Sequence, residues 1–123
     1  MEPGTALVLV KVAHTGAWAL LAGCVVAVPV SVVRGRLHAA AVCSLVVWIE
    51  IAVLAANGMA CPLTRVAARY TTDRSAAFDI YLPEWLAENN KRIFGTAFVV
   101  GELMLLGAWL RRRGPPAPGQ PLA

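Results

Sequence analysis

Four ionisable side chains stand inside long apolar stretches of this sequence: Lys11, His14, Glu50 and Glu102. A charge near the centre of a bilayer costs about 2.5–3.5 kcal/mol on insertion scales, so such side chains usually face other helices and pair. An amine, an imidazole and two carboxyl groups in one place could bind a ligand or relay protons. His14 and Glu50 could also hold a metal, or His14 a haem. The structural alternative is that His14 or Lys11 pairs with Glu50 and holds the helices in register.

Cys61 is a second candidate for chemistry, as a reactive thiol. It precedes Pro62 at the start of a predicted short helix and lies near Arg65, and both features are expected to lower a thiol pKa. Cys24 and Cys43 fall inside the apolar stretches, so neither is placed to act as a resolving partner. The alternative is a small buried residue that closes the turn before the helix.

Three apolar stretches must position these side chains, over residues 5–33, 37–56 and 93–110. Crossing the hydrocarbon core takes roughly 20 apolar residues, which the first stretch exceeds and the third only just supplies. Because backbone polar groups cannot stay unpaired in lipid, each stretch must be helical. We therefore predict an all-α integral membrane bundle of three transmembrane helices. Residues 1–113 form one membrane domain, and the proline- and glycine-rich residues 114–123 are predicted to be a disordered tail.

Composition supports a membrane protein and argues against other classes. Of the 123 residues, 59% are hydrophobic and 15% charged, whereas a soluble domain has roughly a quarter charged residues. The net charge is +4, but the arginines cluster at Arg34, Arg36 and residues 111–113 and are not interleaved with aromatic residues, so nucleic-acid binding is not expected. If both clusters are cytoplasmic, the amino terminus lies outside and the carboxyl terminus in the cytoplasm.

Residues 57–92 form the predicted outer segment between the second and third spans. They are too many for a structureless connection in a compact protein. Pro62 suits the first turn of a helix that runs to Tyr70, with apolar positions at helical spacing, and a second short helix is predicted to start at Pro83. We therefore expect an ordered helical segment lying on the membrane surface.

Helix geometry places the four ionisable side chains in the outer half of the bundle. At about 1.5 Å per residue, Glu50 lies roughly 10 Å from Asn57, and Glu102 lies roughly 13 Å from Ile93. Lys11 and His14 are one helical turn apart on one face of the first span. All four side chains are therefore expected to meet.

The outer segment carries a series of short motifs. They read CPLT at 61–64, VAARYT at 66–71, DR at 73–74, FDIYLP at 78–83, WLA at 85–87, NK at 90–91 and IFG at 93–95. Together they resemble a family of small uncharacterised bacterial integral membrane proteins. Within the outer motif we single out Arg69, Asp73, Asp79 and Tyr81. The resemblance covers most of the chain.

The family has a histidine in the first span, a glutamate in the second and a cysteine opening the outer segment, and His14, Glu50 and Cys61 match these positions. The residue after CPLT is often acidic in the family but is Arg65 here, and asparagine is more usual at Ala77. Any role that needs a carboxylate directly after CPLT is therefore not expected. The resemblance implies the architecture and a location in the bacterial inner membrane, and it implies no activity or cofactor.

Small residues in the first and third spans are expected to allow close helix approach, notably Gly16, Gly23, Gly101 and Gly107. Such spacing favours a tight bundle or insertion beside other integral membrane subunits, with self-association as an alternative. The sequence thus favours a non-enzymatic accessory or scaffolding subunit of a membrane complex. The alternatives are a membrane-embedded redox, metal-, haem- or small-ligand-binding enzyme, and a proton-coupled carrier.

Overall fold

The computed structural model describes residues 2–113, which form four α-helices and no strand in that range. The helices are α1 (Pro3–Val33), α2 (Leu37–Ala56), α3 (Pro62–Ala68) and α4 (Glu84–Arg113). Three of them, α1, α2 and α4, are long and apolar enough to cross a membrane. The predicted all-α class with three spanning helices is therefore confirmed. The predicted disordered tail, residues 114–123, lies outside the described residues.

The connection between α1 and α2 is a tight turn. Gly35 has a φ of 76°, in the left-handed region that glycine adopts without steric cost. The N–H of Arg36 donates to the carbonyl of Ser31 at 2.8 Å, which satisfies one of the last carbonyls of α1. Pro29 is accommodated inside α1, as expected for a spanning helix with neighbours. The short turn makes α1 and α2 antiparallel neighbours.

Residues 57–83 form a cap over one end of the long helices. Gly58 and Met59 both have positive φ, 68° and 64°, and reverse the chain after α2. Pro62 then opens α3, as predicted. The predicted separate helix at Pro83 is wrong in one respect. Helix α4 begins at Glu84 and continues without interruption into the third span, because the intervening polar residues are compatible with helix.

The first helix is the centre of the bundle. It packs against α2, α4 and α3, whereas α2 and α4 contact each other less. Val25 of α1, Val47 of α2 and Phe98 of α4 form a small buried cluster, and the ring of Trp48 packs edge-on against Phe98 at 5.5 Å. Most other large apolar side chains on the long helices point outwards, as expected where the surrounding medium is lipid.

Gly101 marks a close approach of α4 to α1. A Cβ atom built there would lie 3.2 Å from Cδ of Pro29 and 3.3 Å from Cγ1 of Val28, and Val28 is fully buried. The expectation from small residues is therefore confirmed at Gly101. A Cβ at Gly16, Gly23 or Gly107 would meet no atom within 4 Å, so these three glycines do not mark a close approach within the chain.

We expect Gly101→Val to destabilise the bundle and Gly107→Val to have little effect. Valine at Gly101 would force α4 away from Val28 and Pro29, at a cost of about 1–3 kcal/mol, whereas valine at Gly107 meets open space. Both substitutions change helix propensity equally, so Gly107→Val is the matched control. The free energy of unfolding of the detergent-solubilised protein is the measurement. Equal losses in the two variants would contradict the close approach.

Candidate functional site

A cavity of about 260 Å³ lies between the cap and the ends of the long helices. Every long helix contributes to it, and residues of the cap form the rest of its wall. It is lined by His14, Trp18, Leu54, Met59, Ala60, Cys61, Thr64, Ala76, Asp79, Ile80, Leu82, Ala87, Asn90 and Lys91. The cavity has both apolar walls and hydrogen-bonding groups, which is the composition typical of small-molecule sites.

The buried carboxylate of Asp79 joins the cap to α1. Its Oδ2 accepts a hydrogen bond from the hydroxyl of Thr64 and lies 3.5 Å from Nδ1 of His14. The same Nδ1 lies 3.0 Å from the main-chain carbonyl oxygen of Asp79. A carbonyl only accepts, so Nδ1 of His14 carries the hydrogen. In the neutral ring Nε2 is then the acceptor that remains for a ligand.

Asn90 on α4 is held by a tryptophan of α1. The indole Nε1 of Trp18 donates to Oδ1 of Asn90 at 2.8 Å, and the Trp18 ring packs edge-on against Phe94 at 5.6 Å. Because Oδ1 is engaged as an acceptor, the amide nitrogen of Asn90 is the end that can donate to a ligand. The cavity thus has an acceptor at His14 and a donor at Asn90, and each is held by another residue.

Two lysines tie the cap to the long helices. The ammonium of Lys91 donates to the carbonyl of Met59, at the point where the chain reverses after α2. The ammonium of Lys11 lies 4.4 Å from the centre of the Tyr81 ring, a cation–π contact. Next to it, the main-chain N–H of Tyr81 donates to Oγ1 of Thr15 at 2.9 Å. Lys11 and Tyr81 therefore fasten the cap and do not line the cavity.

Cys61 lines the cavity at the start of α3. Burial raises the pKa of its thiol above the ordinary value, and the carboxylates of Glu50 and Asp79 raise it further, against the lowering effect of the N–H groups of Leu63 and Thr64. The expected lowering of this pKa is therefore wrong. Desolvation of the thiolate exceeds the benefit of the helix start, which weakens the case for Cys61 as a reactive thiol.

The four ionisable side chains of the spans do not form one cluster. Glu50 is one turn before Leu54, a cavity residue, and acts on Cys61. Glu102 is twelve residues after Asn90 on α4, which is about 18 Å along the helix. The expected meeting of all four is corrected accordingly: His14 lines the cavity, Glu50 is near Cys61 without lining the cavity, Lys11 of α1 contacts Tyr81 of the cap, and Glu102 is far along α4.

Glu102 has its own partners between α2 and α4. Its Oε1 accepts from the hydroxyl of the buried Ser44 at 2.5 Å, and its Oε2 lies 3.3 Å from the indole Nε1 of Trp48. The side chain of Trp48 is 51% exposed. Glu102 therefore lies at the edge of an outward-facing surface and does not line the cavity.

The four residues singled out in the outer motif also fall into two groups, two at the cavity or the cap junction and two that are exposed elsewhere on the cap. Asp79 is central to the cavity wall, and Tyr81 fastens the cap. Arg69 is exposed at the end of α3. Asp73 is exposed in the following loop, where the N–H of Ser75 donates to its carboxylate and lowers the pKa of that carboxyl.

The sequence interpretation gave Thr64, Asn90 and Lys91 no role in a site. Each belongs to one of the short motifs on which the resemblance rests, and that membership was the available signal. Their positions in the fold were needed to relate them to His14 and Trp18.

Within residues 2–113, no group of three or more histidine, cysteine, aspartate or glutamate side chains is arranged to hold a metal ion. His14 is directed to Asp79, and not to Glu50 as the metal hypothesis required. The three cysteines are free thiols.

No protein-family model, curated protein or solved structure matches this chain. The fold and the site are therefore described from the chain's own residues, and the family resemblance stays an expectation.

We expect Glu50→Gln to make Cys61 more reactive and Glu102→Gln to leave it unchanged. Only the thiolate is alkylated, so a raised pKa slows alkylation at pH 7, and removing the Glu50 charge shifts the pH midpoint down. Glu102 is about 18 Å further along α4 and serves as the matched control. The measurement is the rate of iodoacetamide alkylation against pH in the full chain with Cys24→Ala and Cys43→Ala. A pH midpoint of alkylation that is unchanged by Glu50→Gln would contradict this environment of Cys61.

Proposed function

We propose that this chain is a small integral membrane protein that binds a small amphiphilic molecule in the capped cavity without transforming it. The observation that carries this proposal is the pair of oriented polar groups in one cavity. His14 is held by Asp79 at 3.0 Å, and Asn90 is held by Trp18 at 2.8 Å. Side chains that are fixed before a ligand arrives lower the entropic cost of binding it.

The lining defines the class of ligand. Nε2 of His14 can accept a hydrogen bond and the amide of Asn90 can donate one, which suits a hydroxyl or carbonyl group. Leu54, Ile80 and Ala87 supply apolar walls. A volume of about 260 Å³ corresponds to about nine water molecules at ~30 Å³ each, which is room for a single substituted ring or a short chain.

Binding without catalysis is supported by the state of the nucleophile. The raised pKa of the Cys61 thiol disfavours the thiolate that nucleophilic or redox chemistry would use. The hydrogen on Nδ1 of His14 is directed at the main-chain carbonyl of Asp79, 3.0 Å away, which orients the ring. We therefore prefer a binding role to the redox and carrier alternatives.

Orientation and location complete the proposal. The arginines at residues 34, 36 and 111–113 favour a cytoplasmic position for the end opposite the cap. In that arrangement the amino terminus and the cavity face the outside of a bacterial inner membrane. A ligand would then reach the cavity from the external leaflet or the external solution.

We expect Ala87→Leu to reduce ligand retention about tenfold, because the larger side chain occupies part of the cavity. Ala97→Leu, at an exposed position of the same helix, is the matched control and should retain the ligand. The measurement is mass spectrometry of solvent extracts from protein purified in mild detergent, normalised to protein. If the wild-type extract contains no specifically retained small molecule, or if both variants retain it equally, the proposed function is wrong.

An accessory role in a membrane complex is a second candidate function, and Glu102 favours it. The carboxyl group lies within the spanning region beside the half-exposed Trp48. A carboxyl group in contact with lipid is costly, and a helix of another integral membrane subunit with a donor side chain would cover it. Ligand binding at the cap and a partner helix at Glu102 are compatible.

We expect a photo-crosslinking residue at Leu45 to capture a partner helix and one at Leu20 to capture mainly lipid. Both leucines are exposed, 60% and 64%, but only Leu45 is next to Ser44, the residue that donates to Glu102. Crosslinking in native membranes followed by mass spectrometry identifies the adducts. Adducts with a second copy of the chain would show self-association, and lipid adducts alone at both positions would exclude the accessory role.

A further inference from the structure

The end of the bundle opposite the cap has a second, more open cavity. Its volume is about 370 Å³, and it lies between the α1–α2 turn and the last turns of α4. It is lined by Val32, Gly35, Leu37, Ala108, Arg111 and Arg112. We call it the arginine groove. Nothing in the proposed function uses it.

The arginine groove has an apolar part and a cationic part, arranged along the helix axes. Val32 and Leu37 belong to the spanning helices α1 and α2, and Ala108 precedes Arg112 by one turn of α4. The two guanidinium groups are at the end of α4, where the apolar sequence stops. The apolar part therefore faces acyl chains, and the cationic part lies at headgroup level.

Both guanidinium groups are available to an anion. Arg111 and Arg112 are exposed, and Nε of Arg111 makes only a long contact of 3.4 Å with the carbonyl of Gly107. In the described part of the chain neither arginine forms a salt bridge with a carboxylate. The nearest acidic residue on α4 is Glu102, nine residues before Arg111 and about 13 Å away along the helix.

We propose that the arginine groove binds an anionic phospholipid, with the phosphate against Arg111 and Arg112 and an acyl chain against Val32 and Leu37. Guanidinium groups bind phosphate oxygens through paired hydrogen bonds, and basic pockets between spanning helices hold anionic headgroups. A free phosphate ion has the same charge chemistry but gains nothing from the apolar half of the groove. The composition of the groove therefore favours the lipid as the source of the phosphate.

Gly35 lines the groove at the turn between α1 and α2. Its φ of 76° is a conformation that other residues rarely adopt, and a Cβ atom built there would meet no atom within 4 Å. The groove is therefore uncrowded at this position.

The test is lipid retention by the full chain, measured by native mass spectrometry after release from mixed vesicles. The vesicles contain phosphatidylglycerol and phosphatidylcholine with identical acyl chains. We expect the wild type to retain phosphatidylglycerol about thirtyfold over phosphatidylcholine, since each of the two arginines near the surface contributes about 1 kcal/mol. The double variant Arg111→Gln/Arg112→Gln should lose this preference.

The double variant Arg34→Gln/Arg36→Gln is the matched control, because it removes the same charge at the same end of the bundle without touching the groove lining. It should keep the preference. Ala108→Trp fills the apolar part at unchanged charge and should also lose the lipid. Equal loss in both arginine variants would show diffuse attraction and overturn the proposal, as would a preference unaffected by any variant.

A separate arm distinguishes the source of the phosphate. Inorganic phosphate in millimolar excess is added to the wild type before release from the vesicles. Retention of phosphatidylglycerol should persist, because the acyl contacts are not replaced. Full displacement by inorganic phosphate would mean that the groove is a site for the free ion, and the lipid proposal would be wrong.

Discussion

A buried carboxylate must be given hydrogen-bond donors, and the capped end of this protein is arranged around that requirement. Asp79 is 6% exposed and lies in a segment with little regular structure. Thr64 of α3 donates to the carboxylate, while Nδ1 of His14 on α1 donates to the main-chain carbonyl of the same residue and lies 3.5 Å from the carboxylate, so one residue joins α1 to α3. A buried carboxylate left without a partner would cost several kcal/mol. His14, Thr64 and Asp79 also line the cavity.

The long helices obey a different constraint. In lipid there is no hydrophobic force between them, and association relies on close packing and a few polar contacts. Gly101 lets α4 approach Val28 and Pro29 of α1, and Ser44 contacts Glu102 across α2 and α4. Contacts between the spans are mainly apolar, of α1 with α2 and α4. Most of the side-chain hydrogen bonds between distant parts of the chain lie at the cap.

The three spanning helices and the start of α3 at Pro62 could be predicted because hydrophobic length and proline position act locally. The hydrogen-bond partner of His14 could not be predicted. Glu50 was the expected partner because it is the acidic residue of the second span, whereas the structure uses Asp79, which is 65 residues away in sequence. No feature of the sequence near Asp79 indicates that the loop containing it folds back onto α1. The pKa of the Cys61 thiol was mispredicted for a related reason. The helix start, which lowers this pKa, is visible in the sequence, whereas the burial and the nearby carboxylates that raise it depend on the fold.

The unequal lengths of the helices set the depth of the cavity. The 31 residues of α1 exceed the 20 residues of α2 by about 16 Å of helix, and the tight turn at Gly35 keeps the two level at the other end. The last turn of α2, with Leu54, therefore comes level with His14. If α2 fills a hydrocarbon core of about 30 Å, the cavity comes at the boundary of that core. The amphiphilic ligand that we propose would then have two routes to the cavity, lateral diffusion along the bilayer interface and approach from the aqueous phase.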